Sequence, residues 1–123
     1  MKVKRVKIGI KNLKEILKDT ADVMKRVEKG ERLKPVKGAE IYFTSFESLR
    51  KALTPKRLEL LHIIKAKKPS SINELARIAK RDVKNIAEDV KYLEQMGLIE
   101  KKETNNRIAP VINYDKIALE ITV

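Results

Sequence analysis

The apolar positions follow two repeating patterns along the chain: alternation near both ends, and helical spacing between them. Val6, Ile8 and Ile10 alternate with polar or small residues, which predicts a strand. A spacing of three and four residues follows, and it predicts an amphipathic helix over about 13–29. The apolar face of this helix consists of Leu13, Ile16, Leu17, Ala21, Met24 and Val27.

A connector and a short helix are predicted next. Pro35 and Gly38 interrupt the helical pattern, and the segment IYFT that follows is a candidate short strand. Thr44 and Glu47 have the spacing of a capping box, which predicts a short helix through Leu53.

Three more helices are predicted from Thr54 onward. Thr54 as N-cap and Pro55 at the first helical position begin a helix with Leu58, Leu61 and either Ile63 or Ile64 directed inward. Ser71 and Glu74 form a second capping box, which opens a short helix with Ile72, Leu75, Ala76 and Ala79 on its buried side. The third helix covers Val83 to Met96, with Asp82 as its cap and Gly97 in the left-handed position that ends it.

The third helix has two distinct faces when residues are placed 100° apart. The predicted core face consists of Val83, Ile86, Ala87, Val90 and Leu93. The opposite face consists of Lys84, Asn85, Glu88, Lys91, Tyr92 and Gln95. Such a face is either a solvated helix surface or a surface that binds a polar partner.

The chain after Gly97 is predicted to form strands. Leu98 and Ile99 begin one strand, TNN makes a turn, and RIAPVI returns as the second strand of a hairpin. A last alternating run from Ile117 to Val123 predicts a terminal strand. The order of helix, short helix, turn, longer helix and hairpin is typical of a winged helix-turn-helix. The predicted fold is therefore α+β and mainly helical, with an arm over 1–53 and a winged helix-turn-helix domain with the terminal strand over 54–123.

Charge favours an anionic partner. The 123 residues carry a net charge of +12, which indicates nucleic acid rather than a small acidic substrate. Residues 1–53 hold 15 basic and 7 acidic side chains, and residues 54–123 hold 14 and 10, so the winged helix is the less basic part. Charge alone would therefore have located a nucleic-acid site at the wrong end of the chain.

The predicted partner of the third helix is double-stranded DNA, with the helix in the major groove and the hairpin, the wing, on the backbone. Asn85 has the donor and acceptor that match adenine, Lys84 can donate to guanine, and Glu88 can accept from cytosine. Because Glu88 and Asp89 are unfavourable beside phosphates, one of them is expected to pair with Lys84, Lys91 or Arg81. The candidate DNA-binding residues are Ser71, Lys80, Arg81, Lys84, Asn85, Glu88, Lys91, Tyr92, Lys101, Lys102, Asn106 and Arg107.

The candidate residues can also be explained without a bound ligand. The wing residues could simply make a polar turn, and Ser71 is explained as a helix cap. Lys56 and Arg57 oppose the dipole at the start of their helix, which favours a small destabilisation over a phosphate contact. A non-specific chromatin or RNA-binding protein is a further alternative, and it would bind all sequences equally.

Three segments, LTPKRLELL, INELARIAKRDVKNIAEDVKYLEQMGLIEK and PVINYDKIALEI, carry a resemblance. They resemble small archaeal and bacterial winged-helix predicted transcriptional regulators with a MarR-like DNA-binding domain, some of which are similar to antitoxins. The resemblance implies sequence-specific DNA binding, as a homodimer. It also leaves open an antitoxin that neutralises a small protein toxin. The arm residues Leu13, Ile16, Leu17, Met24 and Val27 are the candidate dimer or partner face, and an internal packing face is the alternative.

The sequence argues against several classes of site. There are no cysteines, so disulfides and thiolate metal sites are excluded, and the single histidine, His62, has no recognisable zinc partners. No nucleophile elbow, P-loop or glycine-rich phosphate motif occurs. The chain is therefore expected to be a cytoplasmic protein that is not an enzyme, with no cofactor, no metal and no membrane contact.

Overall fold

The computed structural model describes residues 4–11, 14 and 40–121. The chain divides into two compact units, one made of Met1–Ala52 with Asp115–Val123 and the other of Leu53–Tyr114. Apart from residue 14, the predicted helix over 13–29 lies outside the described residues, and so do its candidate interface residues Leu13, Ile16, Leu17, Met24 and Val27. The described elements, in chain order, are β1 (Arg5–Ile10), β2 (Glu40–Phe43), α1 (Phe46–Ala52), α2 (Pro55–Lys67), α3 (Ile72–Ala79), α4 (Val83–Gln95), β3 (Glu100–Thr104), β4 (Arg107–Val111) and β5 (Lys116–Glu120).

The first unit contains a three-stranded sheet in the order β2-β1-β5, and both pairs are parallel. The predicted strand at the start of the chain is confirmed, with Val6 and Ile8 buried. Lys7 forms an ion pair with Glu120 across β1 and β5 at 3.2 Å. The terminal strand also forms, but it pairs with β1, whereas the sequence division had kept it with the winged helix.

The short helix α1 follows β2 directly. Its start differs by one residue from the expected cap, because the Ser45 hydroxyl, and not that of Thr44, accepts a hydrogen bond from Ser48 N at 3.1 Å. Leu49 and Ala52 of this helix are buried.

The second unit contains the three predicted helices and the hairpin. The caps form locally: Thr54 Oγ1 accepts from Arg57 N at 3.2 Å, and Ser71 Oγ accepts from Glu74 N at 3.1 Å. The reciprocal half of the second capping box is replaced, because the Glu74 carboxylate accepts from the hydroxyl of Ser70 at 2.6 Å.

The core of the second unit is aliphatic, and it consists of Leu60, Leu61, Ile64, Leu75, Ala76, Ile86, Val90, Leu93, Leu98 and Ile99. Leu58, which the periodicity directed inward, is instead 38% exposed. Leu60 takes its place on the buried side of α2 together with Leu61 and Ile64. No helix among the described residues is long and apolar enough to cross a membrane.

The hairpin of β3 and β4 is antiparallel, with Thr104 opposite Arg107. Asn105 and Asn106 form its two-residue turn with φ angles of 49° and 63°. Both positive values suit the tight turns that match strand twist, and asparagine tolerates them better than most residues. The predicted turn is therefore confirmed. After β4, the Tyr114 hydroxyl donates to the carbonyl oxygen of Leu98 at 2.8 Å and fixes the return of the chain.

Candidate nucleic-acid interface

Helix α4 is fixed at both ends by contacts predicted from the sequence. At its start Asp82 Oδ1 accepts from Lys84 N at 2.7 Å. At its end Gly97 has a φ of 86°, Gly97 N donates to the carbonyl of Glu94, and Leu98 N donates to the carbonyl of Leu93, both at 2.9 Å. This pair of bonds is the Schellman motif, and it leads the chain directly toward the hairpin.

The buried face of α4 is narrower than its periodicity predicts. Ile86, Val90 and Leu93 are buried, as expected. Val83, however, is 45% exposed, and Ala87 is also exposed, so their assignment to the core was wrong. The core face thus occupies a narrow stripe, and two apolar side chains remain on the solvent side.

The polar face of α4 is available for a partner. Lys84, Asn85, Glu88 and Lys91 are all exposed. Within the described part of the chain, none of these four side chains forms a hydrogen bond or an ion pair. A row of donors and acceptors without intramolecular partners is free to meet base edges or water.

Asp89 is the centre of a charged cluster that connects three segments. Asp89 Oδ1 accepts from Arg57 Nε at 3.2 Å, and Asp89 Oδ2 accepts from Arg81 Nη2 at 2.8 Å. The Arg57 guanidinium also lies 4.0 Å from the centroid of the Tyr92 ring. The three charged side chains are largely shielded, at 20%, 16% and 23% exposed for Arg57, Asp89 and Arg81. The cluster therefore joins α4 to the start of α2 and to the α3–α4 turn.

The cluster changes the expected roles of Arg81 and Arg57. Of Glu88 and Asp89, it is Asp89 that pairs, and it does so with Arg81 as one of the expected partners. Arg81 is consequently held by the protein instead of projecting from the turn as a candidate DNA ligand. Arg57, expected only to destabilise its helix slightly, has a carboxylate and an aromatic partner; this pairing across 32 residues has no signal in the local sequence.

Two further candidates, Ser71 and Lys80, cap α3 at its start and at its end. The Ser71 hydroxyl accepts from Glu74 N as the cap, and its O–H remains able to donate to an anion. The Ser70 hydroxyl lowers the pKa of Glu74 through its hydrogen bond, and the charges of Arg77 and Arg107 act in the same direction. Lys80 is exposed and ends α3 in the left-handed conformation, with a φ of 56°.

One basic residue of the hairpin forms an ion pair within the protein, and the others are exposed. Lys101 forms an ion pair with Glu94 of α4 at 2.9 Å, so it supports the hairpin in addition to any external contact. Lys102, Asn106 and Arg107 are exposed. Lys102 and Arg107 also line a cleft of about 800 Å³ between the hairpin and the end of α2, together with Lys68 and Ser70. The hairpin thus presents positive charge along one side.

The described residues contain no group of three or more His, Cys, Asp or Glu side chains that could hold a metal ion.

Three helices of which the last has an exposed polar face, followed by a hairpin with exposed cations, define a winged helix-turn-helix. The chain belongs to the HVO_A0114 family, whose model matches residues 52–119, more than half of the sequence.

The chain was also compared with solved structures and with curated proteins. The crystal structure of the predicted DNA-binding transcriptional regulator from E. coli is similar to this chain, with 22% sequence identity and a TM-score of 0.49. The similarity covers 77% of this chain and 84% of that chain. No curated protein matches this chain significantly.

Proposed function

We propose that this protein is a transcriptional regulator that binds double-stranded DNA at specific sequences, with α4 in the major groove and the β3–β4 hairpin on the backbone. The observation that carries the proposal is the exposed face of α4. Its polar side chains Lys84, Asn85, Glu88 and Lys91 have no intramolecular partner within the described residues. They lie on a helix whose other side is packed by Ile86, Val90 and Leu93.

The electrostatics of the second unit support an anionic partner. Asp89 is paired with two arginines, so its charge is compensated within the protein, while Glu88 is exposed beside Lys84, Asn85 and Lys91. Lys102 and Arg107 on the hairpin add exposed cations, and the fixed fork of an arginine suits phosphate. One surface would then carry base contacts and another the backbone contacts.

A homodimer is part of the proposal. One winged helix reads a single half-site, and a symmetric pair doubles the contacts on an inverted repeat. The arm is the candidate contact between subunits.

Selection of bound sites from random duplex DNA by the full-length protein tests the function. Enrichment of a sequence motif is the expected result, because base-edge contacts discriminate among sequences. Recovery of random sequence at every round, with affinity that depends only on salt, would instead identify a non-specific nucleic-acid binder.

Substitution of Asn85 tests the reading surface. Asn85→Ala is expected to lose roughly 1 to 3 kcal/mol on the selected site and little on random DNA, because an amide paired with adenine is lost. Fluorescence anisotropy titration on both duplexes measures this difference. Thermal unfolding should stay close to that of the parent, since Asn85 is exposed. Unchanged affinity for the selected site would assign sequence reading to another element.

Substitution of the hairpin cations tests the backbone contact. Lys102→Ala or Arg107→Ala is expected to weaken binding to selected and random DNA alike. Each lost phosphate contact should also reduce the steepness of the salt dependence by about one unit. Titrations at four salt concentrations supply the slope. Loss of sequence preference with an unchanged slope would contradict the assigned role.

A further inference from the structure

Two apolar side chains lie on the solvent side of α4. Val83 occupies the first position of the helix and is 45% exposed, and Ala87 is exposed one turn later. Residues four apart are neighbours on a helix surface, so Val83 and Ala87 form a short apolar strip. The strip runs beside Lys84 and Glu88 on the face that is proposed to read DNA.

The surroundings of Val83 are cationic and open. An open hollow of about 820 Å³ between α3 and the start of α4 is lined by Val83 together with Asn73, Ala76, Arg77, Lys80 and Arg81. Arg77 and Lys80 are exposed, whereas Arg81 is held by Asp89. An isolated apolar contact among cations does not suit an apolar protein partner, which would offer a larger hydrophobic surface and no compensating negative charge.

The hollow suits a partner that is strongly anionic and carries isolated methyl groups. The major groove of DNA has both features, because phosphates border it and each thymine projects a C5 methyl group into it. Small apolar side chains are the residues that contact this methyl group. Residues early in a recognition helix are also those that reach base edges.

We infer that Val83 is a specificity-determining residue that contacts the C5 methyl group of a thymine, with Ala87 lying beside the next base pair. This inference rests on the proposed function and adds one base to what α4 reads. Lys84, Asn85 and Glu88 read hydrogen-bonding groups, and Val83 reads a methyl group that the hydrogen-bonding pattern alone does not report.

Replacement of thymine by deoxyuridine isolates the methyl group, since uracil keeps the O4 acceptor and the pairing edge. The full-length parent and Val83→Ala are titrated against the selected duplex and against duplexes with one deoxyuridine in turn. At one thymine of each half-site the parent should lose roughly fourfold in affinity, the value for burying one methyl-sized group. Because Val83→Ala changes both subunits of the proposed dimer, it should bind the thymine duplex about 16-fold more weakly, about fourfold for each half-site, and should not distinguish thymine from uracil there.

Leu58→Ala is the matched control, because Leu58 is an apolar side chain, 38% exposed, on α2 in the same unit. This variant should keep the full loss on deoxyuridine. Both changes remove exposed methyl groups, so thermal unfolding should stay near that of the parent.

The outcomes separate this inference from the proposed function. Discrimination between thymine and uracil that persists in Val83→Ala at every position, or that is absent from the parent, overturns the role of Val83 and leaves sequence-specific binding intact. A Val83→Ala protein that dissociates into subunits with discrimination unchanged assigns the strip to a subunit contact and overturns it as well. Failure to enrich any motif overturns both.

Discussion

Single side chains in the second unit have roles that depend on where the chain places them. Tyr114 is half-buried, and its hydroxyl donates to the carbonyl of Leu98 immediately before β3. Burial raises the pKa of the phenol from 10.0 to about 12, because the ionised form is poorly solvated there. The folded state is therefore expected to lose stability at alkaline pH, where this phenol ionises.

Tyr114→Phe is expected to lower the free energy of unfolding at neutral pH by roughly 1 kcal/mol, since the Leu98 carbonyl loses its donor. The unfolded phenol ionises near pH 10, whereas the folded phenol ionises at about 12. The contribution of Tyr114 is thus complete below pH 10 and is lost as the pH rises to about 12. Urea unfolding at several pH values measures the difference in free energy of unfolding between parent and variant. The lysines titrate in both proteins, so their contribution cancels in this difference. Parallel stability curves from pH 9 to 12 would contradict this linkage.

At the scale of elements, the orientation of α4 depends on its two helix caps and on the ion pairs of Asp89. The caps at Asp82 and Gly97 fix its ends. Asp89 holds it to Arg57 at the start of α2 and to Arg81 in the preceding turn. Helix caps are visible in sequence because donor and acceptor lie within a few residues, whereas the partner of Asp89 on α2 lies 32 residues away.

Asp89→Asn is expected to destabilise the protein by roughly 2 kcal/mol, because two shielded guanidinium groups lose a charged acceptor. Its preference for selected over random DNA should fall, since α4 loses a tether. Glu88→Gln is the matched control for stability: it makes the same change of charge one residue earlier, at an exposed side chain. Chemical unfolding compares the two variants, and the ratio of the two DNA affinities of Asp89→Asn is compared with that of the parent. Equal stability of the two variants would show that the cluster does not hold the helix.

At the scale of the molecule, the chain passes from the first unit to the second and back. β5 pairs with β1, so a fragment ending at residue 53 would lack one strand of its sheet. Tests of the arm as a dimer contact therefore require the full-length chain. The second unit runs from Leu53 to Tyr114, whereas the division made from the sequence began it at residue 54 and extended it to residue 123.

The 123-residue chain is expected to have twice its monomer mass of 14.2 kDa in solution. The selected sites should be inverted repeats whose centres allow two α4 helices to enter successive major grooves, about 34 Å apart. Light scattering coupled to size exclusion gives the mass, and the selected sequences give the symmetry. A monomer at micromolar concentration with asymmetric sites would refute the dimer.

The sequence by itself determined the described helices and strands and the caps of the three helices in the second unit, whereas α1 is capped one residue later than expected and β3 begins two residues later. Thr54, Ser71 and Asp82 cap helices, Gly97 ends one, and an asparagine turn closes the hairpin, because each signal acts between residues close together in the chain. Tertiary structure decided which neighbour each face meets. Periodicity defines a face but not what covers it, so Leu58 and Val83 were assigned to the core and are exposed. The pairing of β5 with β1 and of Arg57 with Asp89 likewise depends on segments far apart in sequence, which only the folded chain brings together.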